Sequence, residues 1–174
     1  MAKVTGYQLR EAIKRQTLLR DTAAAMFTDS LRKFPGEDKP VPDEMMASFY
    51  RADTAIAKLQ VAQMRYNLIV KIGTFAMMHA DQKSMTLAEA VKRLGGSGRC
   101  EKMWRGAATP TEKRFGYDET RREDEVRAMP QLTLIEAAKR SSAAAKGVGQ
   151  LRQAIAVANA TEVEVEDLDE ELLQ

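Results

Sequence analysis

The sequence predicts an all-α protein built on a long antiparallel helical hairpin of the coiled-coil type, with further helices. Three observations predict this class. Apolar residues recur at alternating intervals of three and four over long segments. Residues 34–43 hold three of the five prolines and separate two such segments. Aromatic residues make up only 6% of the chain while Met occurs ten times, a composition that favours helix over an aromatic-rich β-sandwich or barrel.

The first two predicted helices are long. Residues 8–33 contain few helix breakers and carry apolar residues along one face. The prolines of residues 34–43 fix φ and remove backbone donors, so we expect a turn there, with Asp43 as the N-cap of the next helix. A helix over about residues 43–77 would be roughly 50 Å long at 1.5 Å per residue. Its seam repeats at intervals of four and three through Met45, Phe49, Ala52, Ile56, Leu59, Gln63, Tyr66 and Val70.

Two capping boxes mark the starts of later helices. In a Thr-x-x-Glu box the Thr side chain bonds the backbone amide of the Glu, and the Glu side chain reaches back to the amide of the Thr. Thr86 and Glu89 form one such pair, and Thr133 and Glu136 form another. We expect the helix that follows Thr133 to run to about Asn159.

Glycines predict where the helix after the first box ends. It is expected to stop near Gly95, because glycine commonly follows the end of a helix. Residues 95–130 are then expected to be a loop-rich segment with short helical pieces, one of them over Arg121–Arg127. Residues 161–166 alternate with a period of two, which is the pattern of a short C-terminal strand.

Acidic residues are concentrated at the C-terminal end. The last thirteen residues contain seven acids and no base, which leaves 27 basic and 18 acidic residues, a charge of +9, for residues 1–161. The sequence therefore divides into a single helical domain, residues 1–161, and an acidic tail, residues 162–174. Such a tail solubilises a protein or shields its basic body from weak anionic competitors.

The inventory of reactive side chains excludes several classes of protein. One Cys and one His cannot supply a Cys/His zinc site or an internal disulfide, so we expect no metal, no cofactor and a cytoplasmic location. No apolar run approaches the roughly 20 residues that cross a bilayer, and the first residues lack the apolar core of a secretory signal. A dyad of Cys100 and His79 would need a third, orienting group. We expect that the protein is not an enzyme.

The best candidate binding segment is residues 92–122. It interleaves nine bases and four acids with aromatic residues; bases can hold a phosphate while an aromatic ring stacks on a nucleobase. Its glycines at Gly95–Cys100 add backbone amides that a loop could turn toward an anion. The alternative is a surface loop whose aromatic residues anchor it on the helices. The candidate ligand-binding residues are Arg99, Lys102, Trp104, Arg105, Lys113, Arg114, Tyr117, Arg121 and Arg122.

The apolar seams predict self-association, because two long seams exceed what one small globule holds. The leading hypothesis is a non-enzymatic helical protein of oligomerisation or interaction, acting as a homo-oligomer. The alternative is sequestration of an anionic, nucleotide-like small molecule at a subunit interface. A third is a nucleic-acid-associated protein, whose affinity would depend steeply on salt. The residues expected in the oligomer seam are Phe49, Ile56, Leu59, Gln63, Tyr66, Val70, Val148, Leu151 and Ile155.

Five segments, spread over nearly the whole chain, resemble one known family. They are LREAIKRQTLLRD at 9–21, GEDKPVPDEM at 36–45, YNLIVKI at 66–72, MTLAEAVKRL at 85–94 and LRQAIAVAN at 151–159. In these segments the chain resembles the septicolysin-like family of small helical bacterial and phage-associated proteins, whose biochemical role is undefined. The resemblance implies an all-helical, oligomeric protein and brings no catalytic motif with it.

Overall fold

Helices dominate the computed structural model, which describes residues 2–73, 84–109 and 131–173. This confirms the predicted all-α class. None of the helices within those ranges is long and apolar enough to span a bilayer. In chain order the elements are β1 (Ala2–Val4), α1 (Gly6–Ser30), α2 (Pro42–Ile69), β2 (Lys71–Gly73), β3 (Ser84–Thr86), α3 (Leu87–Ala108), α4 (Leu134–Asn159), β4 (Val163–Val165) and a 3₁₀ helix, Glu170–Leu173.

The four helices form two hairpins that meet at one end. α1 packs along α2, and α3 packs along α4, while contacts between the two pairs are few. Two small antiparallel strand pairs lie where the hairpins meet: β1 pairs with β4, Ala2 opposite Val165, and β2 pairs with β3, Ile72 opposite Met85. The main hydrophobic core lies at this junction. It contains Val4, Leu9, Ala12, Leu59, Ala62, Tyr66, Val70, Ile72, Met85, Leu87, Ala90, Leu151, Ile155, Ala158, Val165 and Leu168.

Capping boxes begin three of the helices. The predicted boxes before α3 and α4 are both confirmed, and Thr5 with Gln8 forms a third before α1. Before α3, the backbone amide of Thr86 donates to the Glu89 carboxylate at 2.7 Å, and the amide of Glu89 donates to the Thr86 hydroxyl at 3.2 Å. The backbone amide and the side-chain hydroxyl of Thr86 both bond the Glu89 carboxylate. These two bonds lower the pKa of Glu89 because they stabilise its ionised form.

Helix α3 is longer than expected. It continues through the glycines near its middle to Ala108, so the prediction of a stop near Gly95 is wrong. Each glycine costs about 1 kcal/mol relative to Ala in a helix, but α4 packs along α3, and such packing usually outweighs propensity. The amides of Gly95–Cys100 lie within this helix, so they do not form the anion-binding loop considered above. The remainder of the expected loop, including Arg121–Arg127, falls outside the described residues.

Helix α2 is shorter than expected and is capped differently. It begins at Pro42, with Val41 as the N-cap and no capping side chain, so Asp43 is not the N-cap but a first-turn acid that favours the positive end of the helix dipole. The backbone becomes extended at Val70, because the chain turns there into β2. At 28 residues the helix is about 42 Å long.

The acidic C-terminal segment belongs to the folded domain. The predicted strand is confirmed as β4, and the side chains of Val165 and Leu168 are buried in the core. Arg65 of α2 binds the Asp167 carboxylate at 2.9 Å. The predicted boundary at residue 161 therefore does not correspond to a division in the structure, since the residues that follow it supply a strand and two core side chains.

The predicted oligomer seam is buried within one chain. The antiparallel partner in each hairpin supplies the second helix that the 3,4 pattern requires, so these side chains are not available to another chain in this conformation. Phe49 and Gln63 are half-buried. The others are buried: Ile56, Leu59, Tyr66, Val70, Val148, Leu151 and Ile155.

A buried polar cluster joins α1, α2 and α4 at the junction. The Tyr66 hydroxyl lies 2.7 Å from the carbonyl oxygen of Ala158 and 2.8 Å from that of Thr161, and the two carbonyl groups share its single hydrogen. The Asn159 amide donates to the carbonyl of Ile155 at 2.8 Å. Burial raises the pKa of the Tyr66 phenol, because the ionised form would lose its hydration.

Candidate functional site

Helix α2 has two apolar faces, which lie on nearly opposite sides. The first packs against α1 and contains the buried side chains of Ala52, Ile56 and Leu59. An ordinary surface helix has one apolar face and a polar face opposite it. The second face of α2 is therefore the unusual feature.

The second face forms an exposed stripe with coiled-coil spacing. Its side chains recur at intervals of three and four over about three heptads, which is the pattern that packs against a parallel or antiparallel helix. Tyr50 is 61% exposed, Val61 42%, Met64 58% and Leu68 62%. We call this surface the outer stripe. It consists of Ala47, Tyr50, Thr54, Ala57, Val61, Met64 and Leu68.

A row of bases follows one edge of the outer stripe. Arg51, Lys58 and Arg65 are spaced by seven residues, so they share one side of α2. Arg65 is the one that binds Asp167. On the opposite edge, Asp53 pairs with Arg20 of α1 at 3.6 Å.

An open cavity of about 300 Å³ lies between this basic edge and the C-terminal segment. Tyr50 and Thr54 of the outer stripe line it together with Arg51 and Lys58, and Leu172 of the 3₁₀ helix forms a further wall. Arg15 of α1 holds that helix in place by donating to the carbonyl oxygen of Leu173 at 2.6 Å. The C-terminal segment thus extends the surface beside the outer stripe and brings acidic residues close to the row of bases.

The arrangement of two hairpins joined by two strand pairs has a known counterpart. The chain is similar to a solved structure, described as a functionally unknown conserved protein from Corynebacterium diphtheriae. The two share 17% sequence identity with a TM-score of 0.63, and the match covers 94% of this chain and 100% of the other. At this identity the likeness shows a common fold alone. No protein-family model matches the sequence, and no curated protein matches it either.

The predicted ligand-binding residues are only partly described by the structure. Trp104 and Arg105 are engaged within the chain: Arg140 of α4 lies over the Trp104 ring at 4.9 Å from its centroid, and Arg105 pairs with Glu101 one turn away. These partners would have to be exchanged before Arg105 could bind a phosphate or the Trp104 ring could stack on a nucleobase through the face that Arg140 covers. Arg99 and Lys102 of α3 are exposed. Lys113, Arg114, Tyr117, Arg121 and Arg122 lie outside the described residues.

Among the residues that the structure describes, the other reactive side chains give no further site. Cys100 is a free, exposed thiol on α3, and its suggested partner His79 falls outside the described residues. Across residues 2–73, 84–109 and 131–173, no group of three or more His, Cys, Asp or Glu side chains is placed to hold a metal ion.

The outer stripe is the feature that sequence reasoning missed, although its signal is present. Its 3,4 spacing is as regular as that of the buried seam, but the buried seam holds larger apolar residues, such as Phe49 and Ile56, and therefore dominates the sequence pattern. A helix that carries two such seams satisfies one within its own hairpin. The second could have been found by testing every face of the helix.

Proposed function

We propose that the protein is a cytoplasmic, non-enzymatic helical protein of oligomerisation and interaction, and that the outer stripe of α2 is its binding surface. The observation that carries this proposal is the exposure of seven consecutive seam positions, Ala47 to Leu68, on the face of α2 away from α1. The resemblance to the septicolysin-like family implies an oligomer as well. The exposed thiol of Cys100 fits a reducing compartment.

The physical basis of the proposal is the exposed apolar surface. Large apolar side chains in a continuous row on a soluble protein mark a surface that another molecule covers, because their exposure to water is unfavourable. The 3,4 spacing selects a helix as the covering element, since knobs-into-holes packing needs two seams of matching period. Tyr50, Met64 and Leu68 are the largest side chains of the row and would supply most of the buried area.

Native mass spectrometry with light scattering over a range of concentrations tests the proposal. The unaltered chain is expected to form a discrete oligomer. Met64→Asp places a charge in the middle of the outer stripe and is expected to reduce the oligomer at least tenfold at equal concentration. Met103→Asp is the matched control, because Met103 is 76% exposed on α3 and lies outside the outer stripe.

Circular dichroism of both variants checks that the helices remain. A chain that stays monomeric at every concentration would contradict the self-association part of the proposal. Equal loss of the oligomer in Met64→Asp and Met103→Asp would contradict the assignment of the outer stripe as the surface.

A further inference from the structure

The open cavity beside α2 combines an apolar lining with two bases. Ala55, which is 7% exposed, is the buried residue of this lining, and Tyr50 and Leu172 add apolar surface. Arg51 and Lys58 contribute the positive charges. At about 300 Å³ the cavity is at the lower end of the range for small-molecule sites, which are commonly apolar with a few charged or polar groups. We propose that it binds a small anion with an apolar body, namely a phosphate or carboxylate group carried on an aromatic or short aliphatic group.

The two bases of the cavity are not neutralised by carboxylates of the described part of the chain, none of which lies within ion-pair distance of Arg51 or Lys58. Arg51 donates to the Ser48 hydroxyl at 3.1 Å, which leaves most of its five N–H donors for a ligand. Asp167, the acid of the C-terminal segment that binds the row of bases, is bound to Arg65. The other two bases of the row are therefore available to an anion.

The spacing of these two bases favours one anionic group that both can reach. Seven residues separate Arg51 from Lys58, which is about 10 Å along α2 at 1.5 Å per residue, and their long side chains can span this distance from both ends. A concave surface with one sign of charge and an apolar wall focuses the electric field and concentrates ions of the opposite charge. The Arg51 guanidinium can bind a phosphate or carboxylate through two parallel N–H donors, and Lys58 adds a compact second charge.

The apolar lining selects a ligand that also has an apolar body. The Tyr50 ring meets the Phe49 ring edge to face, with 5.9 Å between their centroids, while the residue remains 61% exposed. It therefore offers a supported apolar surface to a ligand. Glu170 and Glu171 lie in the same 3₁₀ helix as Leu172 and lower the positive charge of the surroundings. An inorganic anion consequently gains less here than an anion that also buries apolar surface.

Methyl NMR spectra of protein labelled at Ala and Leu test this site, with phenyl phosphate as the probe. The methyl signals of Ala55 and Leu172 are expected to shift on titration, because both residues line the cavity. The titration runs to about 10 mM, since a ligand of about ten non-hydrogen atoms is expected to have a dissociation constant of roughly 1 mM. Inorganic phosphate and phenol, which carry the head group and the body separately, are expected to bind about tenfold more weakly or worse. Phenylacetate tests whether a carboxylate also serves as the head group.

Two double variants remove the same charge at different places. Arg51→Gln combined with Lys58→Gln is expected to weaken phenyl phosphate binding about tenfold or more, because charge-assisted hydrogen bonds to the anion are lost. Lys146→Gln combined with Arg152→Gln is the matched control, because both are exposed bases of α4 that do not line the cavity, and it should leave the affinity unchanged. Met64→Asp, which tests the outer stripe, also leaves the lining intact and should bind phenyl phosphate as the unaltered protein does. The ligand site and the proposed self-association can therefore fail independently.

Three outcomes would count against the site. If neither phenyl phosphate nor phenylacetate shifts the signals of Ala55 and Leu172 over this range, the inference is overturned. Equal weakening in the two double variants would overturn it as well, because the anion would then respond to net charge rather than to the cavity. Equal affinity for inorganic phosphate and phenyl phosphate would refute the part given to the apolar lining.

Discussion

Three helices approach one another closely at the junction because Gly6 has a hydrogen atom in place of a side chain. Gly6, in the first turn of α1, lies directly against the Asn159 side chain at the end of α4 and the Tyr66 ring near the end of α2. A Cβ atom at this position would be 2.4 Å from the Asn159 Oδ1 atom and 2.9 Å from the Tyr66 Cε1 atom. These distances are too short for any side chain, so the close approach depends on glycine.

Gly6→Ala is therefore expected to lower the free energy of unfolding by about 1–3 kcal/mol, the usual cost of overpacking a buried site. Urea denaturation followed by circular dichroism measures it. Gly96→Ala is the matched control, because a Cβ there would meet no atom within 4 Å apart from its chain neighbours and the nearby backbone of its own helix, and the helical position should gain up to about 1 kcal/mol. Equal effects of the two substitutions would contradict the account of Gly6.

The buried phenol of Tyr66 predicts a loss of stability in alkali. Its pKa is raised in the folded chain, while the unfolded chain ionises at about pH 10. The phenol's contribution is complete below the unfolded pKa and is lost as the pH rises through the folded pKa, because ionisation then favours unfolding. Tyr66→Phe is expected to remove this alkaline component and to cost about 1–2 kcal/mol at neutral pH, since the hydrogen shared by the carbonyl groups of Ala158 and Thr161 is lost.

Urea midpoints between pH 8 and 12 measure that difference. Tyr7→Phe serves as the control, because its hydroxyl donates to the carbonyl of Ala156 at the surface. An alkaline profile of Tyr66→Phe that coincides with that of the unaltered protein would refute the role given to the buried phenol.

At the scale of elements, sequence signals that span a few residues predicted the features that depend on those residues alone, such as the starts of helices. Thr86 and Thr133 fixed two helix starts because a capping box is complete within four residues. The end of α3 could not be predicted in this way, because the packing of α4 that carries the helix past Gly95 is contributed by residues far along the chain. Strands of three residues have too little length to show a period, so only β4, inside a longer alternating stretch, was predicted.

The candidate site was predictable only in part. The sequence contains both seams of α2, but which one the hairpin covers depends on where α1 packs. Trp104 and Arg105 illustrate the same point for the binding segment: their composition suggests an anion site, whereas the structure gives them partners in the chain. Residue type indicates what a side chain can bind, and packing decides what it does bind.

The docked C-terminal segment carries a prediction at this scale. Leu168 is 8% exposed and lies in the main core, so Leu168→Ala is expected to cost about 2–4 kcal/mol of unfolding free energy. Leu18→Ala, at an exposed position of α1, should change it by less than about 0.5 kcal/mol. Urea denaturation compares the two. If the C-terminal segment were instead a separate tail, Leu168→Ala would change the free energy of unfolding as little as Leu18→Ala does.

At the scale of the whole molecule, the two hairpins share one core at their junction and have few other contacts. The remainder of α2 is packed along α1 on one side, Leu172 of the 3₁₀ helix lies beside it across the cavity, and the outer stripe is exposed. Association through this surface would add the contacts that the single chain lacks. It would also link folding to protein concentration, because an oligomer that separates on unfolding gains stability by mass action.

The melting temperature is therefore expected to rise with protein concentration. Differential scanning fluorimetry or calorimetry over a hundredfold range of concentration measures the change. Met64→Asp should abolish the dependence, whereas Met103→Asp should keep it. A melting temperature of the unaltered protein that stays constant over that range would argue against an oligomer that contributes to stability.

The pairing of β1 with β4 also sets a delay during protein synthesis. Ala2 lies opposite Val165, so the partner of the first strand is made roughly 160 residues later, which takes about 8–30 s at 5–20 residues per second. During that interval Val4 and Leu9, which are completely buried in the finished protein, lack the cover that β4 provides. The α1–α2 hairpin on the ribosome is therefore expected to bind chaperones until β4 has emerged.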